Sequence, residues 1–427
     1  MEFFANTPYI IRVLGSLLVI LVVNKAARRL HVAVFAGIAV LALWTGQSMQ
    51  ACVSITLDRI LSPNAILLMV IIFQVIWLST QMSMTGVMKD MVGSINSMVS
   101  RRASMALLPA VIGLLPMPGG AIFSAPLVDD CDTDNSVDPL LKARINYWFR
   151  HIWEYWWPMY PGFLLALEIT GLPMLSLMMV QFPLSIFAIF GGYIFLLKKV
   201  EPGKNGTSAH TRKNMKEFLL LVSPIFIIIF TYAGIKVFIP EVAAVNRYLP
   251  MITGILIAQA ALQIRRPLGA GPWLRIIFSV KTLNMALIVL LILVYGAFIR
   301  APLPDGSMIM GHMRGELASW GIPVFFIIMI IPFISGMTTG LAVGFVGASF
   351  PIIMSLIGPD PGIREVLSTI VLAYGSGYIG MIFSPVHVCL IVTSEHFRTG
   401  VIDSLARLVK PALVVCAGIL LIHLLLR

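Results

Sequence analysis

The chain has 427 residues, 59% of them hydrophobic and 11% charged, with a mean hydropathy of +0.94. A soluble domain carries about 25% charged residues, so a soluble globular fold is excluded, and the lack of strand-like alternation excludes a membrane barrel. The formal net charge is +11, but the basic residues sit in short loops between apolar runs, where they act as topology determinants and not as a nucleic-acid surface.

In chain order, apolar runs predict crossings at 9–23, 32–46, 63–80, 146–169 and 174–197, then at 218–238, 249–263, 277–298, 367–393 and 408–426. MEFFANTPYI has no basic leader and no small-residue cleavage site, so the first run reads as a span. Four loops carry the basic residues. Loop 24–31 holds Lys25, Arg28 and Arg29, and loop 81–103 holds Lys89, Arg101 and Arg102. Loop 198–217 holds Lys198, Lys199, Lys204, Arg212, Lys213 and Lys216, and loop 264–276 holds Arg265, Arg266 and Arg275. All four fall on the cytoplasmic side if the N-terminus is outside, and ten crossings then leave the C-terminus outside too.

Two segments do not read as ordinary spans. PAVIGLLPMPGGAIFSAP (109–126) and PFISGMTTGLAVGFVGASFP (332–351) both begin Pro-x-x-x-Gly, are rich in small residues at the centre and close on proline. Each precedes a span with proline inside it: Pro158 and Pro161 in 146–169, Pro385 in 367–393. The expected fold class is an all-α polytopic membrane protein with about ten crossings plus two re-entrant hairpins, in two inverted-topology repeats. Residues 1–197 would form the first repeat, 198–217 a basic linker and 218–427 the second. Interrupted segments at matching positions of inverted halves point to a transporter's midplane site.

The stretch YWFRHIWEYWWPMYPG (147–162) carries the chemistry. On a helix, Arg150, His151 and Glu154 share one face, continued by Tyr147 and Pro158. A charge at the bilayer centre costs about 2.5–3.5 kcal/mol, so these groups must face protein or water. Arg150 suits a carboxylate, and Glu154 and His151 suit proton uptake and release. Arg150 equally fits a snorkelling anchor paired with Glu154, and the aromatics fit either a pocket wall or an interfacial belt. Glu168 is expected at the interface. In the second broken span, Ser384 fits a Na⁺ ligand, and His387 fits a proton path or a packed core histidine. The hairpin tips, with Pro118, Gly119, Gly120 and Ser124 in one and Thr338, Thr339 and Gly340 in the other, let backbone approach a ligand closely. Glu154, His151 and Ser384 are the candidates for the coupling ion.

DDCDTDN (129–135) spaces Asp130, Asp132 and Asp134 like a calcium loop, but Asn135 and Leu141 stand at the sixth and twelfth positions. It reads as a solvated turn that caps the next helix beside Lys142 and Arg144. Cys52, Cys131, Cys389 and Cys416 show no paired spacing, so neither disulfides nor a metal is expected.

The motifs GLLPMPGGAIFSAPLVDD (113–130), YWFRHIWEYWWPMYPG and SPVHVCLIVTSEHF (384–397) resemble, along essentially the whole chain, a prokaryotic membrane-protein family, domain of unknown function 401. The layout also looks like the ion transporter superfamily. That resemblance implies a homodimer in the prokaryotic cell membrane, with a fixed scaffold and a moving unit of hairpins and broken helices. The expected function is secondary active transport of a small organic anion, coupled to H⁺ or Na⁺ and needing no cofactor. A cation/proton antiporter using Glu154 and His151 is the alternative. An intramembrane enzyme or lipid-handling protein is more distant, since no H-E-x-x-H, G-x-S-x-G or P-loop occurs.

Overall fold

The computed structural model describes residues 7–116, 120–201, 211–357 and 361–427. Among the described residues seven helices are long and apolar enough to cross a bilayer: Tyr9–Ala27, Pro63–Met84, Met174–Lys199, Met215–Phe238, Ala270–Arg300, Ile363–Ile382 and Val409–Leu426. The pair Ile309–Trp320 and Val324–Thr339, bent by 113°, raises the number to eight if counted as one span. Shorter apolar helices are Leu30–Trp44, Pro161–Thr170, Leu249–Arg265 and Ala342–Ile357. Among the described residues the only β pairing is one isolated bridge, Pro302 to Met308. The protein is an all-α polytopic membrane protein, as its composition requires.

The segments expected as hairpins are pairs of helices, each longer than its apolar centre. The first hairpin has arms Arg101–Gly113 and Ala121–Asp130, and the second has arms Val324–Thr339 and Ala342–Ile357. The first begins earlier than the sequence suggested because the Ser100 hydroxyl accepts from the Ala103 amide and starts a helix ahead of Pro109. The expected spans 146–169 and 367–393 are both broken, into Pro139–Arg150 and Pro161–Thr170, and into Ile363–Ile382 and Val388–His396. Helices without a long apolar run of their own escaped the sequence reading, among them Met49–Ile60, Val87–Met98 and Ile309–Trp320.

The broken spans form the core. Every residue from Leu141 to Arg150, from Pro161 to Ile169 and from Val366 to Ile382 is buried. By contrast, only 22% of the apolar window of Met215–Phe238 is buried, which places that helix at the periphery. Each hairpin touches both broken spans. Arg101–Gly113 packs on Pro139–Arg150 and Ala121–Asp130 on Val388–His396, while Val324–Thr339 packs on Ile363–Ile382 and Ala342–Ile357 on Pro161–Thr170. Side chains at Gly336 or Gly380 would collide with the backbone of Gly377 or Phe333, so these glycines set the close approach of hairpin and broken span.

Polar networks mark the two ends of the helices. At one end Arg266 pairs with Asp90 at 2.6 Å, and Arg102 Nε donates to the Val200 carbonyl at 2.6 Å, which joins three of the basic loops. Asp129 and Asp132 pair with Lys142 at 2.6 and 3.1 Å, and Arg101 pairs with Asp134 at 2.6 Å. Asp138 caps the helix that follows. The acidic turn is therefore held by cations, while Arg144, expected to be offset there, donates instead to the Asp403 carbonyl at 2.8 Å. At the other end Glu168 is buried within the protein and bridges Arg59 at 2.7 Å and Arg247 at 2.5 Å, with the Tyr248 hydroxyl at 2.7 Å.

Candidate functional site

The helix Pro139–Arg150 stops before the prolines. Arg150 is its last residue and His151 its C-cap. Residues 151–160 run in successive turns, with the Glu154 amide on the His151 carbonyl at 3.1 Å and the Trp157 amide on the Trp153 carbonyl at 3.0 Å. Arg150, His151 and Glu154 thus do not share one continuous helical face, and neither Tyr147 nor Pro158 extends such a face. Pro158 disfavours helical geometry at Trp157. Pro161 then starts the next helix at the position where its missing amide hydrogen costs nothing.

A break at membrane depth leaves carbonyls that must be satisfied by protein or water. Aromatic side chains do this here. The Tyr378 hydroxyl donates to the His151 carbonyl at 2.9 Å, and that of Tyr374 to the Glu154 carbonyl at 2.8 Å. In return the Tyr147 hydroxyl donates to the Ile382 carbonyl, at the end of the second broken span's first helix, at 2.9 Å. Trp153 and Trp157 donate to the Ala110 and Leu114 carbonyls of hairpin one at 2.8 and 2.9 Å, and Tyr160 donates to the Gly113 carbonyl. Trp148 and Trp156 donate to Ala188 and Ser185. All four indoles of the stretch are committed to hydrogen bonds within the protein, two of them to carbonyls of hairpin one.

The two breaks and the two tips meet. Arg150 is 4% exposed, and a side chain at Gly120 would run into its guanidinium. Glycine at the first tip therefore lets the cation lie against backbone. Gly340 closes the first arm of hairpin two at φ +63°, and a Cβ there would lie 3.0 Å from the His387 backbone. Left-handed geometry and close contact both demand glycine. The Ser384 hydroxyl donates to the Met337 carbonyl at 2.6 Å, which ties the second break to that tip.

At the centre the rings of His151 and His387 lie 4.7 Å apart and cross at 78°, with Tyr147 edge-on to both. His151 Nε2 is 3.9 Å from Glu154 Oε1. Cys389, two residues beyond His387, joins them: one ligand atom from each of His151, His387 and Cys389 lies within 4.8 Å of the others. The sequence reading set this cysteine aside for want of spacing to another, and only the fold brings it to His151. The signal was its place in V-H-V-C, at the second position of the helix after the break.

Other expected site residues differ in what they offer. The Thr338 and Thr339 hydroxyls donate within their own helix, to the Ile334 and Ser335 carbonyls at 2.8 and 2.7 Å. Ser124 is fully buried one turn beyond the first tip, and its hydroxyl has no partner among the described residues. Ser335, which the sequence did not single out, is buried in the same condition one turn before the second tip. Pro118 and Gly119 lie outside the described residues.

The fold and the site together define a multi-pass helical membrane protein with two broken spans and two helical hairpins converging on a buried, cation-bearing centre. The chain belongs to the DUF401 family of proteins of unknown function, whose profile matches residues 10–426. No curated protein matches the chain closely enough to add a relative.

Proposed function

We propose that the protein is a secondary active transporter that carries a small, carboxylate-like organic anion, coupled to H⁺ or Na⁺. One observation supports this most: a buried arginine, Arg150, lies against the glycine tip of hairpin one, beside the second break. A guanidinium held at this depth is costly unless polar groups or a ligand offset it, and its planar fork takes a carboxylate in two parallel hydrogen bonds. Ser124, with its unmet hydrogen bond, adds a neutral donor near the same tip. In this reading His151 and Glu154 take up the coupling proton, and Ser384 contributes to a Na⁺ site. The hairpins and broken spans move as one unit against the remaining helices, with inverted halves, both termini outside and a homodimeric scaffold in a prokaryotic cell membrane.

The cation/proton antiporter reading draws on the His151–Glu154 separation of 3.9 Å. One experiment separates the two. Thermal stability of the purified protein is measured against a panel of organic anions, amino acids and neutral sugars, with and without Na⁺ and at two pH values. A bound ligand stabilises the native state by about 2.7 kcal/mol at a hundred times its Kd. Transport of an anion predicts stabilisation that is lost in Arg150→Ala. Stabilisation by Na⁺ or pH alone, lost in Glu154→Gln, would replace it with the antiporter.

A further inference from the structure

We propose that His151, His387 and Cys389, with Glu154 as fourth donor, form a binding site for a borderline divalent metal ion of the zinc class that joins the two broken spans. This goes beyond the transport reading and shares His151 and Glu154 with it: with the ion bound, these two groups hold the metal in place of the coupling proton. The three side chains are all buried, and one ligand atom from each lies within 4.8 Å of the others. They come from both breaks: His151 ends the helix Pro139–Arg150, while His387 and Cys389 open the helix Val388–His396.

The hydrogen bonding around His151 is that of a metal ligand. Its Nδ1 lies 2.6 Å from the Tyr147 carbonyl. A carbonyl only accepts, so Nδ1 carries a proton, and in the neutral ring Nε2, on the side of Glu154, is the nitrogen free to bind a metal. Metal-bound histidines characteristically donate their second ring N–H to such a carbonyl, which fixes tautomer and orientation. His387 Nδ1 accepts from the Cys389 amide at 3.2 Å. This bond is long, and His387 gives it up or switches tautomer when it binds. Cys389 stands at the second position of the helix Val388–His396, which brings its sulfur to the two imidazoles.

The donor set selects the ion. Two imidazoles, a thiolate and a carboxylate are characteristic zinc ligands. Bond lengths of about 2.0–2.3 Å place tetrahedral donors roughly 3.3–3.7 Å apart, so the cluster contracts by about 1 Å, within the reach of side-chain rotation. Binding displaces the thiol proton. A divalent ion with one thiolate and one ionised carboxylate is neutral, which leaves Arg150 no worse placed than before.

The test uses the full chain with Cys52, Cys131 and Cys416 replaced by Ser, freed of metal and titrated with Cd²⁺ and Zn²⁺. One equivalent of Cd²⁺ should bind and raise a thiolate-to-cadmium ultraviolet band, and Zn²⁺ should abolish the band by competition. Cys389→Ser should remove the band, and His387→Gln should weaken binding at least tenfold. Arg150→Ala, which tests the anion reading, should keep the band. A chain that shows no band, or one that survives Cys389→Ser, overturns the proposal. Should Cys389→Ser fail to fold, maleimide labelling of Cys389 in the parent chain decides: Zn²⁺ should slow it at least tenfold, and an unchanged rate overturns the site.

Discussion

Removing one hydroxyl from Tyr378 tests the claim that aromatic donors hold the first break together. Tyr378→Phe leaves the ring in place and deprives the His151 carbonyl of its donor at 2.9 Å. Tyr378 is 3% exposed and His151 1%, so water cannot replace the lost bond without rearrangement. A buried group left unsatisfied costs about 1–3 kcal/mol in soluble proteins. Hydrogen bonds measured inside membranes average about 0.6 and reach about 1.7 kcal/mol. For a carbonyl at a helix end, with no backbone donor to fall back on, the upper membrane value applies: about 1.5 kcal/mol, or roughly tenfold in the unfolding equilibrium. Tyr374→Phe frees the carbonyl of Glu154, which is only half-buried, and should cost less, about 0.5–1 kcal/mol. Equilibrium unfolding in mixed detergent micelles reads both, with Tyr193→Phe as control because Tyr193 is 42% exposed. If Tyr378→Phe costs no more than Tyr193→Phe, or less than Tyr374→Phe, the hydroxyls are not what satisfies the break.

Glu168→Gln keeps the shape but leaves Arg59 and Arg247 facing each other across an amide; breaking a buried pair costs about 3–5 kcal/mol, and the partial exposure of Arg247, 33% for its side chain, brings the expected loss to about 2–3 kcal/mol in the same unfolding assay. Gly340→Ala forces a left-handed residue to carry a Cβ 3.0 Å from His387; about 1–2 kcal/mol of stability should go from the backbone alone, and a crystal or cryo-EM structure should show the second break displaced. Gly120→Val should displace the Arg150 guanidinium and abolish anion-dependent thermal stabilisation while sparing the stability of the ligand-free protein more than Gly340→Ala does. Arg150→Lys keeps the charge but loses the fork, so anion-dependent stabilisation should fall at least tenfold in affinity without vanishing.

Much of the architecture was legible because a bilayer permits so few solutions. Apolar runs located the long helices, and prolines and glycines located both hairpins and both broken spans. The amphipathic helices Met49–Ile60 and Ile309–Trp320 were not legible, since they have no apolar run to announce them. Arg150, His151, Glu154 and His387 stood out as ionisable groups in greasy surroundings, and the fold brings them together. Cys389 did not stand out, because a buried cysteine is ordinary in sequence and becomes notable only beside an imidazole from 238 positions earlier. Thr338 and Thr339 looked available from composition, yet helical threonines return their hydroxyls to the preceding turn. For the tryptophans the sequence leaves a pocket wall and an interfacial belt both open, because composition cannot show that each indole has a carbonyl or hydroxyl within reach.

The reciprocal capping of the two breaks has a consequence for biosynthesis. Trp153, Trp157 and Tyr160 find their partners in hairpin one, already synthesised when they emerge. The carbonyls of His151 and Glu154 wait for Tyr378 and Tyr374, which follow 227 and 220 residues later. At about 5–20 residues per second of synthesis, the first break spends ten seconds or more without its donors. During that interval the segment must stay hydrated, at the membrane surface or inside the insertion machinery, and it sinks to its final depth only when the second half arrives. Insertion of this protein is therefore not a simple N-to-C sequence of crossings: its centre is assembled last.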